Sequence, residues 1–129
     1  MRLGRDCASR ETRDMKRPLV LATALLALLV VAAPSGAQTK LQGTVGPGFT
    51  IALTKDGKRV TSLPAGRYAI TVDDKATMHD FVLRGPGIDR ELTGLNFVGR
   101  RTATVTLRKG SYTFFCSPHP TMKGSFTVR

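Results

Sequence analysis

In the stretch FFCSPHPTMKGSF, residues 114–126, a thiol, an imidazole and a thioether follow one another at three-residue intervals as Cys116, His119 and Met122. Pro118 and Pro120 restrict the backbone between them. The one other histidine of the chain is His79, 37 residues before the cysteine. One thiolate, two imidazoles and a weakly held thioether make up a donor set suited to a single copper ion that exchanges one electron. Cu(II) favours nitrogen and Cu(I) favours soft sulfur, so a mixed site tolerates both states with little rearrangement. Zinc matches less well, because structural zinc takes four strong ligands and the fourth donor here is a thioether.

Each of these residues has a commoner use taken singly. A lone methionine usually fills a core, and a lone histidine in a strand is usually a satisfied core or surface group. Met78 lies out of phase with His79 and reads as packing. A nucleophilic Cys/His pair, with Asp80 orienting His79, is conceivable chemistry. The short chain leaves little room for a substrate cleft, however, and no second feature supports hydrolysis. The expectation is a protein that is not an enzyme.

The elements that must carry these residues read as short strands. Phe49, Ile51 and Leu53 alternate with smaller or polar residues and run into the turn KDGK. Tyr68, Ile70 and Val72 do the same, as do His79, Phe81 and Leu83, then Ala103, Val105 and Leu107, then Tyr112, Phe114 and Cys116, and last Phe126 and Val128. Residues 86–98 fit this pattern poorly and read as a loop with one helical turn, anchored by Leu95 and Phe97. About seven period-2 segments, separated by turns every 8–12 residues, predict an all-β, small antiparallel sandwich or barrel. The parity puts Cys116 on the core face with Phe114, and His79 on the core face with Phe81. Thiol and imidazole can therefore meet at one end of the sandwich, while Phe115 points outward.

The N-terminal part has a different character. Residues 19–33, LVLATALLALLVVAA, follow Lys16, Arg17 and Pro18 and precede PSGAQ, where Ser35 and Ala37 are the small residues of a cleavage site. This predicts a signal peptide over residues 1–37, with Met15 as an alternative start, and a single domain over 38–129. A membrane anchor is the alternative reading, although a span needs about 20 apolar residues. Export to the periplasm, the cell envelope or the exterior follows, with membrane contact only if the segment is retained. Cys7 lies in the expected leader, which leaves Cys116 as a lone thiol in an oxidising compartment. Such a cysteine is buried and inert, reactive, or held by a metal.

The whole chain carries a net charge of +11, and residues 38–129 hold 14 Lys and Arg against 6 Asp and Glu, a net of +8. The excess is spread along the chain without aromatic interleaving, which argues against a nucleic-acid partner. It reads either as solubility or as steering toward an acidic partner. A monomer is expected.

The segment YTFFCSPHPTMKGSFTV, residues 112–128, resembles the C-terminal ligand loop of the cupredoxins, the plastocyanin/azurin superfamily. The compact Cys-x-x-His-x-x-Met, continued as Pro-x-Met-x-Gly, is most similar to the short loop of the amicyanins. DKATMHDFVL, residues 74–83, resembles the strand that bears the first histidine. The resemblance implies a Greek-key sandwich holding one copper ion, Cu(II)/Cu(I), with His79, Cys116 and His119 equatorial and Met122 axial. It implies that the His119 edge meets solvent within an apolar patch, to which Pro118 and Pro120 contribute, with Pro47 and Phe49 as weaker candidates. Phe115 stands where plastocyanin has an exposed tyrosine associated with a second electron route. Asp80 departs from the asparagine common after the first histidine, but its carboxylate can still accept a hydrogen bond from Ser117 and lock the two loops. The implied function is an exported type 1 copper protein that shuttles single electrons between redox proteins. The rival is extracytoplasmic copper delivery, buffering or resistance; a closed loop with one cysteine favours the redox role over the open, Met- or His-rich motifs of chaperones.

Overall fold

The computed structural model describes residues 36–129. The expected leader, the alternative start at Met15 and Cys7 fall outside the described residues, apart from the last two positions before the expected cleavage. Ten strands follow: β1 (Thr39–Val45), β2 (Ile51–Lys55), β3 (Lys58–Arg59), β4 (Ser62–Leu63), β5 (Gly66–Asp74), β6 (Phe81–Gly85), β7 (Ile88–Thr93), β8 (Gly99–Leu107), β9 (Gly110–Cys116) and β10 (His119–Val128). They form two five-stranded sheets, ordered β3-β2-β1-β5-β8 and β4-β10-β9-β6-β7. The all-β expectation holds, and most pairings are antiparallel. Two are parallel, β1 with β5 and β4 with β10. In each, the chain between the two partners has left the sheet and returned.

The alternating residues face inward between the sheets. Tyr68, Ile70 and Val72 from β5, Ala103, Val105 and Leu107 from β8, and Tyr112, Phe114 and Cys116 from β9 are all buried. Each fully buried Leu, Ile, Val or Phe contributes about 1.5–3 kcal/mol relative to an exposed one. Phe81 and Phe114 stack with centroids 5.7 Å apart and planes 5° apart, tying β6 to β9 just below the residues that follow. Gly124 on β10 stands opposite Phe114 in the register, and the Phe114 ring occupies the space a Cβ there would need. Glycine is required at that position by close approach.

Three expectations are corrected. Residues 86–98 contain no helical turn: Ile88–Thr93 is a strand at the sheet edge, paired only with β6. Its first four residues are exposed or half-buried, so it lacks the alternation by which a strand is recognised. Leu95, expected as an anchor, is exposed, and Phe97 is half-buried with the Arg101 guanidinium over its ring at 4.3 Å. Met78, expected as packing, is 70% exposed, at a turn where its φ is +75°. β1 also went unanticipated, because Gly43 interrupts its apolar alternation; a Cβ there would lie 3.1 Å from both Phe81 and Val72.

Candidate metal centre

The ligand candidates come from two places at one end of the sandwich. His79 lies two residues before β6, in the connection that crosses from β5 in one sheet to β6 in the other. Cys116 ends β9 and His119 begins β10, and the two face each other across the turn. Pairing then jumps from His119↔Cys116 to Lys123↔Phe115. Pro120, Thr121 and Met122 are thus accommodated in a bulge on β10, which re-aims the strand end. Met122, the last residue of the bulge, shares the inward parity of Phe126 and Val128, and it is buried.

Three donor atoms converge. Nδ1 of His79 and Nδ1 of His119 are 3.2 Å apart, and Cys116 Sγ lies 3.4 Å from His119 Nδ1 and 3.7 Å from His79 Nδ1. A point equidistant from all three lies about 2 Å from each, close to the length of a metal–imidazole bond. Two imidazole nitrogens and a cysteine sulfur, around a space of that size, fit a copper ion. Cys116 is buried, and burial pushes its thiol pKa up; the backbone N–H of Asp80, donated to Sγ at 3.4 Å, acts in the opposite sense by favouring the thiolate. The same residue spans both loops, since Asp80 Oδ1 accepts the Ser117 backbone N–H at 2.6 Å. The expected cross-loop bond is therefore present with a carboxylate as the acceptor.

The surface over this end is apolar. His119 is half-exposed, and Phe49 meets both imidazoles edge-on, with centroids 5.0 Å from His119 and 6.0 Å from His79. Pro118 and Pro120 are exposed on either side of His119, as is Pro47 in the loop that carries Phe49. A hollow of about 480 Å³ beside His119 is lined by Met78, Leu95 and Pro118 among others. Phe49 thus has a larger place than its weaker candidacy implied, and sequence reasoning missed Met78 and Leu95. Their sign in the sequence was a failure of parity: both are large apolar residues outside any alternating run. Phe115 points outward as expected, half-buried, with the Arg84 guanidinium 4.9 Å above its ring.

Deeper in the same end, Asp74 is buried at the end of β5. Its Oδ1 accepts the Ala76 N–H at 3.4 Å, while Oδ2 and the hydroxyl of buried Thr93 have no partner among the described residues. Burial pushes the Asp74 carboxyl above the usual carboxylate range.

Residues 63–129 match the family described as copper binding proteins, plastocyanin/azurin family. This chain belongs to that family. Amicyanin-alpha of Methylorubrum extorquens is 28% identical over 117 residues, covering 87% of this chain and 98% of the relative. Among solved structures, reduced rusticyanin superposes with a TM-score of 0.52 at 23% identity, over 70% of this chain and 78% of the other. Rusticyanin from Thiobacillus ferrooxidans gives 0.52 at 20% identity, over 70% and 76%. These likenesses establish a cupredoxin fold, and the family establishes copper, one ion cycling between Cu(II) and Cu(I), as the cofactor.

Proposed function

We propose that this protein carries single electrons between redox proteins outside the cytoplasm, with His79, Cys116 and His119 as equatorial ligands and Met122 as the axial one. Bound copper supplies a one-electron Cu(II)/Cu(I) couple. The chain's own residues do the rest. Cys116 and His79 are held in the protein interior, Asp80 fixes the cysteine loop against the histidine loop, and Phe49 with the prolines makes the surface around the His119 imidazole apolar. The observation that carries the reading is the asymmetry of burial. The sulfur is enclosed, yet His119 is half-exposed at the centre of an apolar surface. Electrons can leave through that imidazole while the metal cannot easily be handed over, which favours electron transfer over copper delivery.

The N-terminal pattern supports processing of residues 1–37 and export to the periplasm or beyond, and the amicyanin relative spans nearly the same length. The test is an absorption spectrum of the full-length chain titrated with Cu(II). An intense visible thiolate-to-copper band, bleached reversibly by reductant and absent in Cys116→Ser, is expected. Copper bound without that band, or only as Cu(I), would favour delivery instead.

A further inference from the structure

The outward face of the sheet β4-β10-β9-β6-β7 carries a second surface. Two adjoining depressions, of about 320 and 390 Å³, share Thr113 and Lys123. Arg84 and Phe115 line the first, Ser125 and, from β3 at the edge of the other sheet, Arg59 line the second, and no acidic residue lines either. The register explains the arrangement. Lys123 on β10 stands opposite Phe115 on β9, and Thr113 on β9 stands between Ser125 on β10 and Arg84 on β6. Arg84 and Lys123 therefore rise from strands two spacings apart, about 10 Å. Arg84 gives its Nε to exposed Asp89 at 3.1 Å and sits over the Phe115 ring at 4.9 Å, while Arg59 and Lys123 have no ion-pair partner among the described residues.

We propose that this groove receives an acidic segment of the redox partner protein, its carboxylates spread between Arg84, Lys123 and Arg59 and its apolar part lying on Phe115. The identity of the partner as a redox protein rests on the function proposed above; the binding chemistry does not. Charge complementarity sets the class of occupant. The spacing of the cations across three strands suits carboxylates spaced along a polypeptide better than one small anion. The groove is also continuous with the ligand end. Ser117 and Pro120 line the groove on one flank of the cysteine–histidine turn, and Pro118 and His119 line the apolar hollow on the other. A partner anchored in the groove is thereby brought against the exposed imidazole, with polar contacts setting orientation and encounter rate.

The test titrates an octaglutamate peptide into the full-length, copper-loaded, reduced chain at low salt, followed by amide NMR shifts. Shifts at Thr113, Phe115, Lys123 and Ser125 are expected. Arg59→Gln, Arg84→Gln and Lys123→Gln combined should weaken binding on the order of tenfold. Removing the same charge away from the groove, by Lys40→Gln, Arg67→Gln and Arg100→Gln on β1, β5 and β8, should change it by about twofold or less. Equal loss in both triple variants would mean diffuse attraction and overturn the proposal. So would shifts centred on Phe49 and Met78, equal shifts produced by inorganic phosphate, or no binding. The visible band of the same samples reports the copper site separately. Failure of the groove with the band intact refutes the docking alone; loss of the band with the groove intact refutes the redox reading alone.

Discussion

Replacing Asp80 with asparagine separates two things that this one side chain does. Its Oδ1 takes the Ser117 N–H at 2.6 Å, and its own N–H reaches Cys116 Sγ at 3.4 Å. Asparagine keeps an oxygen acceptor and the backbone donor, so the cross-loop bond survives, weakened from a charged to a neutral bond by about 1 kcal/mol. What disappears is a negative charge in a buried position beside the Cys116 sulfur. Taking about 5 Å between carboxylate and sulfur and an effective dielectric of about 20, that charge stabilises the oxidised site by about 3 kcal/mol. For a one-electron couple, at 59 mV per tenfold in equilibrium, this is a ceiling of about 130 mV. The midpoint potential of Asp80→Asn, measured by spectroelectrochemistry on the copper-loaded chain, should rise by several tens of millivolts. Asp80→Ala serves as the control that loses charge and bond together, and it should also melt at lower temperature. An unchanged or lower potential in Asp80→Asn, with the melting temperature nearly kept, would refute the electrostatic argument.

Met122→Leu is close to volume-conserving and should cost less than about 1.5 kcal/mol in stability. If the thioether is a ligand, the visible spectrum and potential must nevertheless change; unaltered values would return Met122 to the core. Asp74→Asn tests the buried carboxyl whose pKa is raised. Between the unfolded carboxyl pKa and the higher folded one, the unfolded chain releases its proton first, so stability falls as pH rises through that window. The asparagine variant should therefore melt higher than the parent at pH 7, with the gain vanishing below about pH 4, near the unfolded value; a gain independent of pH would count against this. Gly124→Ala drives a methyl into the Phe114 ring and should cost about 1–3 kcal/mol in chemical denaturation. A neutral result would mean that β10 shifts to make room.

The core was legible wherever alternation ran unbroken. Tyr112, Phe114 and Cys116 could be assigned to one face by parity alone, and that assignment placed the thiol inward beside the His79 loop. Alternation fails at edges and at close approaches. β7 is mostly exposed on an outer strand, so Ile88–Thr93 shows no second face to contrast with the first. In β1 the inward position against Phe81 and Val72 is a glycine in tight contact with both, which removes the apolar mark from the strand's centre. Phe49 and Met78 were hard to place for a different reason. Phe49 has the parity of buried Leu53 yet is exposed, and Met78 follows no alternating run; their place is the rim around the histidines, and a rim is defined by residues distant in the chain. The family resemblance supplied the ligand roles; spacing alone left a methionine and two histidines with ordinary uses.

The bulge on β10 has a bearing on how such a chain can vary. A residue inserted into a regular strand turns every later side chain to the opposite face, which here would expose Phe126 and Val128. Between His119 and Lys123 the ladder is already interrupted, so an added or deleted residue is absorbed before pairing with Phe115 resumes. His119 and Met122, with Cys116 just across the turn, thus lie at a stretch of this sheet where length can change without inverting the core. Properties of the metal site can be altered by lineage or by design at that point, while the sandwich beneath keeps its register.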